Sequence, residues 1–185
     1  VYATSMIYAS LKTVARWHHP LTPICYLMFA AAGGLLAVLA MLALLGLPIT
    51  AALAQAGIVL MLSAWGVKIA WWRLAGMARH AGTVESATGL GALGAVRPLM
   101  PPHTEENYLQ HEMGFVVARK HADKLRMIAL GLGGGLPILV LFLAPASEGA
   151  LGIAVLAHIA GMFVERWLFF AEAKHVVTLY YEGAA

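Results

Sequence analysis

ICYLMFAAAGGLLAVLAMLALLGL, residues 24–47, is followed after Pro48, Ile49 and Thr50 by AALAQAGIVLMLSAWGVKIAWW, residues 51–72. The first run holds 24 residues without a charge. At about 1.5 Å per residue that is enough helix to cross a hydrocarbon core of about 30 Å. Pro48 stops the first run, and so short a connection makes the second its antiparallel partner. The second run contains one charge, Lys68, which is expected to snorkel to the headgroups, with Trp71, Trp72 and Arg73 marking the interface. Gly33 and Gly34 offer a place for a neighbouring helix to come close.

Two further runs follow the same rule. Residues 127–144 hold 18 uncharged residues, loosened by Gly131 and Gly133 to Gly135 and expected to kink or break near Pro137. Residues 150–172 form the fourth run. Residues 1–17 end in Lys12, Arg16, Trp17, His18, His19 and Pro20, the pattern of a helix leaving a bilayer, and fit the tail of an earlier span. An amino-terminal portion is expected to precede Val1. Only 11% of the 185 residues are charged, against about 25% in a soluble domain, and mean hydropathy is +0.79. The fold class expected is an all-α integral membrane protein: a transmembrane helix bundle with four full spans, the end of a preceding one, and a long loop over 73–126. Continuous apolar runs exclude a barrel, whose strands alternate.

The polar interruption is PPHTEENYLQHEMGFVVARKHADKLR, residues 101–126. Thr104 can cap a helix with Glu105 and Glu106 in its first turn. Phe115, Ala118, Ala122 and Leu125 then share one face, so an amphipathic helix is expected to feed the third span. It either lies on lipid headgroups or meets a partner protein. Its acids, Glu105, Glu106 and Glu112, favour the partner, because anionic lipid repels them. Lysine and arginine fall at 12–16, within 73–126 and at 166–174, whereas the turns at 48–50 and 145–149 carry none. By the positive-inside rule the loop and the carboxyl terminus are cytoplasmic, in a bacterial inner membrane. The same spread of basic residues argues against nucleic acid, despite a net charge of +3.

Chemistry-bearing groups are few. His158, Glu165 and Glu172 recur every seven residues along one stripe of the last helix. Sixteen uncharged residues precede Glu165, placing Glu165 and Arg166 near the hydrocarbon boundary and His158 deeper. Such groups either pair structurally with neighbouring helices or serve a proton or quinone site. Haem b needs two facing histidines, and His158 is the one histidine well inside a span, so no haem is expected in this chain. His103 to Asn107 has no metal-site spacing. Gly89, Gly91 and Gly94 match a dinucleotide fingerprint but lack its strand and helix. The single Cys25 can build no disulfide or cluster framework.

MIYASLKTVARWHHP (6–20), ESATGLG (85–91), residues 101–126 and VERWLFFAEAKHVVTLYY (164–181) resemble the membrane-anchor subunits of the dimethyl sulfoxide reductase family. The likeness is closest to the branch that anchors cytoplasmic sulfite dehydrogenases. The resemblance implies a quinone-reactive anchor of about eight spans, of which this chain supplies the carboxyl-terminal half. It further implies an iron–sulfur subunit and a molybdopterin catalytic subunit as partners, with ubiquinone or menaquinone as electron carrier. On this reading His103, Glu105, Glu106, Asn107, Glu112 and Arg119 dock the partner. Lys68, Arg73, His158, Glu165 and Arg166 are the quinone or proton candidates, although related anchors hold quinone chiefly in the amino-terminal half. A haem b anchor and a secondary transporter are the competing readings, the latter prompted by the Gly- and Pro-broken third span.

Overall fold

The chain reverses between its first two apolar runs within six residues. Helix α2, Leu21–Leu44, closes with Gly46 at φ +65°, where the Gly46 and Leu47 N–H groups donate to Ala43 (3.0 Å) and Leu42 (2.9 Å). That pairing satisfies carbonyls left over at the helix end, and only glycine takes the backbone angle without cost. The Thr50 hydroxyl then accepts from Leu53 N–H at 3.3 Å and starts helix α3, Ala51–Gly76.

The computed structural model describes residues 1–77, 83–96 and 116–173. Within them no strand forms. The remaining helices are α1 (Tyr2–Ala9), α4 (Val84–Thr88), α5 (Val116–Lys120), α6 (Ala122–Leu143) and α7 (Glu148–Ala171), with a 3₁₀ turn at Gly91–Leu93. Four of these, α2, α3, α6 and α7, are long and apolar enough to cross a membrane, so the protein is a multi-pass helical membrane bundle. Their outer faces expose Val38, Val59, Phe142, Leu156 and Phe163, a surface that suits lipid and not water.

The spans form a ring of neighbours. α2 packs on α3 and α7, α6 packs on α7, and α3 meets α6 from residue 131 onward. Leu36, Leu39, Met61, Ala64, Leu141 and Leu151 fill the interior. Close approach depends on glycine at one crossing. A Cβ on Gly161 of α7 would strike the backbone of Gly133 in α6, and one on Gly133 or Gly134 would lie 2.6 Å from the Trp65 ring of α3. Gly33 serves similarly beneath His158, whereas Gly34 faces open space, so only one of the expected pair is used for packing.

The span limits differ from the sequence expectation for identifiable reasons. α2 starts at Leu21 and not 24, because Pro20 and Pro23 fall where a helix needs no N–H. α3 continues past Trp72 to Gly76. α6 starts at Ala122, since Asp123 and Arg126 pair with each other and need not leave the helix. The expected kink is a π turn, Gly131–Gly135, inside α6. Residues 1–17 do not form one helix end. α1 stops at Ala9, His18 Nδ1–H donates to its last carbonyl at 2.6 Å, and the intervening turns bury Val14. Of the expected amphipathic helix, α5 is described: it breaks at His121, and its Ala118 is buried. Thr104, Phe115 and the acids at 105, 106 and 112 lie outside the described residues.

Candidate functional site

Both short turns sit at one end of the bundle, and the Lys and Arg side chains of the described spans gather at the other. Lys68 of α3 is the deepest cation. Its side chain is 1% exposed, and it forms an ion pair with Glu165 of α7, itself fully buried. The expectation that Lys68 snorkels to the headgroups is therefore wrong. A carboxylate on the facing helix removes the need to reach water. Trp71 and Trp72 do not mark an interface either, for both are buried around that lysine. The Lys68 ammonium lies 3.7 Å from the Trp71 ring centroid and 5.4 Å from that of Trp72.

Glu165 has a second partner on its own helix. Arg166 reaches back with Nε at 2.5 Å and Nη2 at 2.9 Å, a two-pronged grip on the carboxylate. The same guanidinium stands 4.4 Å from the Tyr26 ring centroid and 4.5 Å from that of Phe169. Two cations thus share one buried carboxylate, walled by aromatic rings from α2, α3 and α7.

A shallower tier lies two helical turns along. Glu172 receives Arg126 at one oxygen and Arg16 at the other, the latter at 2.7 Å without the alignment of a hydrogen bond. Arg126 also pairs with Asp123 at 2.7 Å. Trp71 joins the tiers. Arg16 stands 5.2 Å from its ring centroid, and its indole N–H donates to the Thr22 hydroxyl at 3.0 Å. Burial holds the Arg16 guanidinium below its ordinary pKa, opposed by Glu172 and assisted by Arg126.

His158 lies deeper in the bundle and belongs to neither tier. Its Nδ1 is 2.6 Å from the Gly133 carbonyl and must carry the proton, since a carbonyl can only accept. Four residues after Gly133 stands Pro137, which has no N–H to give that carbonyl. The histidine supplies the bond that proline withholds, across to the neighbouring span.

Of the sequence candidates, then, Lys68, Glu165 and Arg166 come together. His158 stands apart, and Arg73 is exposed. Arg119 spends its guanidinium on the chain itself, donating from Nε to Ala171 O at 2.8 Å and from Nη2 to Ala173 O at 3.4 Å. Those are orphan carbonyls at the end of α7. His103, Glu105, Glu106, Asn107 and Glu112 lie outside the described residues. Missed by sequence reading were Arg16, Arg126 and the aromatic walls. Their one signal was tryptophan beside basic residues at span ends, which reads equally well as an interface belt.

Fold and site together define a multi-pass α-helical membrane protein with a buried ion cluster at one end. The chain is similar to a subunit of the sulfite dehydrogenase of Allochromatium vinosum, the one designated C, at 30% identity over 184 residues, or 98% of this chain and 56% of that protein. The chain spans about half the length of the curated relative it matches. No protein-family model and no solved structure matches it.

Proposed function

We propose that this chain belongs to a membrane-anchor subunit of a three-subunit molybdopterin oxidoreductase of the dimethyl sulfoxide reductase type, which oxidises sulfite and delivers the electrons to quinone. The likeness to a sulfite dehydrogenase subunit along 98% of the chain carries this reading. An iron–sulfur subunit docks on the charged end and the adjoining segment that holds His103, Glu105, Glu106, Asn107 and Glu112, on the cytoplasmic face of a bacterial inner membrane. The Lys68–Glu165–Arg166 cluster lies in the spans directly beneath, and a paired ammonium and carboxylate is a chemically suitable proton-exchanging group for a quinol reaction there.

The test is purification of the whole complex. Co-purification of an iron–sulfur and a molybdenum subunit, with sulfite-dependent reduction of a water-soluble quinone analogue, is expected. Changing Glu105, Glu106 and Glu112 together to Lys releases the partners while the spans stay inserted. A stable protein that purifies alone refutes the anchor reading. A b-type α-band in the reduced spectrum would reassign it to a haem anchor, and substrate uptake by proteoliposomes lacking redox partners to a transporter.

A further inference from the structure

Two neighbouring spans part company at the charged end. α3 packs on α6 through the π turn and the later half of that helix, whereas the earlier half, Ala122–Leu130, packs on α7. The Trp65 ring against Gly133 and Gly134 marks the level where α3 and α6 meet. Toward the charged end Arg126 bridges across to α3, its guanidinium 5.8 Å from the Trp72 ring centroid.

The polar groups there are out of balance. Arg16 Nε, Trp72 Nε1 and Arg126 Nε are buried, and none has an acceptor; the one buried oxygen without a hydrogen bond beside them, Glu172 Oε2, is already ion-paired with Arg16. A buried donor left unpaired loses its water without replacement, so three at one end of a bundle call for a partner. Cations also exceed acids. Arg16, Lys68, Arg126 and Arg166 face Glu165 and Glu172 inside, while Asp123 is 92% exposed and screened by water. What is lacking is negative charge carried on acceptor oxygens. The place is reachable, since the Arg16 and Arg126 side chains are 17% and 29% exposed. The next two residues after Arg126, Met127 and Ile128, are exposed at 68% and 46% on a helix that spans the bilayer.

We propose that the mouth between α3 and α6 binds the headgroup phosphate of an anionic phospholipid. Arg126, Arg16 and the Trp72 N–H meet the phosphate, and the acyl chains lie on the exposed apolar surface beginning at Met127. Basic pockets at span ends hold such headgroups by this combination of charge and adjoining oil. A protein carboxylate would satisfy the charge but has no use for the apolar side chains beside it.

The full-length protein, stripped of lipid in detergent, is titrated with phosphatidylglycerol or phosphatidylcholine and followed by native mass spectrometry. Retention of phosphatidylglycerol in preference to phosphatidylcholine is expected. Arg126→Gln and Arg16→Gln should each lower that preference about fivefold. Trp72→Phe keeps the ring and loses the N–H, so it tests the site even if an arginine variant misfolds; it lowers the retention of phosphatidylglycerol. Lys120→Gln, an exposed cation outside the cluster, leaves the preference unchanged. Equal retention of both lipids overturns the proposal, as does a preference that survives both arginine variants with retention unchanged in Trp72→Phe. Equally tight binding of inorganic phosphate without lipid assigns the site to a free anion, against the proposal. Variants that release an acidic partner subunit while lipid retention is unaltered also overturn it, giving the donors to a protein interface.

Discussion

Lys68 and Glu165 hold α3 to α7 through an ion pair of which neither side chain is more than 1% exposed. Removing Glu165 strands the Lys68 ammonium where water cannot reach, whereas removing Lys68 leaves Glu165 paired with Arg166. Glu165→Gln is therefore expected to cost about 3–5 kcal/mol and Lys68→Met less, seen as a drop in thermal melting of the detergent-solubilised protein. The double variant Lys68→Met, Glu165→Met should recover part of the loss, although Arg166 then lacks its carboxylate. Single variants that melt with the parent would show that the pair carries no such strain.

His158 donates to the Gly133 carbonyl, whose α-helical donor position is held by Pro137. His158→Leu should cost about 1–3 kcal/mol. Pro137→Ala returns an N–H to the helix, so the same histidine substitution in that background should cost less. A double-mutant cycle measures the difference, expected above about 0.5 kcal/mol. Strict additivity of the two changes would sink the explanation.

Gly161 and Gly34 make a matched contrast. Gly161→Ala places a methyl group into the backbone of α6 and should separate α6 from α7, with a fall in melting temperature. Gly34→Ala meets nothing within 4 Å and should be neutral or slightly stabilising, because alanine favours helix over glycine. Equal effects at the two sites would contradict the packing described.

His19 gives a pH dependence. Its Nδ1 accepts from Leu21 N–H at 3.2 Å at the start of α2, and burial holds its pKa below the ordinary histidine value. The unfolded chain then binds the proton more readily than the folded one. The contribution is present above the unfolded pKa of about 6.5 and is lost as pH falls through the folded value. Melting between pH 8 and pH 5 should therefore fall less in His19→Asn than in the parent protein. A parallel decline in both would exclude His19 as a source.

The four spans were legible because length and lack of charge alone decide them: residues 24–47 and 51–72 needed no tertiary information. The ends were less so. A proline at position 20 or 23 reads as a breaker, yet costs nothing in a first helical turn. The cluster was half legible. Glu165, Arg166 and Lys68 stand out as ionisable groups within apolar runs, but no periodicity says that Lys68 faces Glu165. That depends on how α3 and α7 are rotated about their axes. Arg16 was beyond reach for the same reason, since its partner Glu172 lies at the far end of the sequence. The likeness to a sulfite dehydrogenase subunit agrees with the branch that four sequence blocks resemble.

The π turn in α6 is in effect a phase corrector. Ala129 and Leu141, both buried, are twelve positions apart. At about 100° per residue an unbroken α-helix would point them about 120° away from each other. A π turn absorbs about one residue, and the remaining eleven steps bring the two to within about 20°. One strand of oily sequence thereby keeps a single inward seam on both sides of Gly131–Gly135. Winding those five residues into regular α-helix without removing one would leave the span long enough to cross the bilayer, yet turn half of it to face the wrong way.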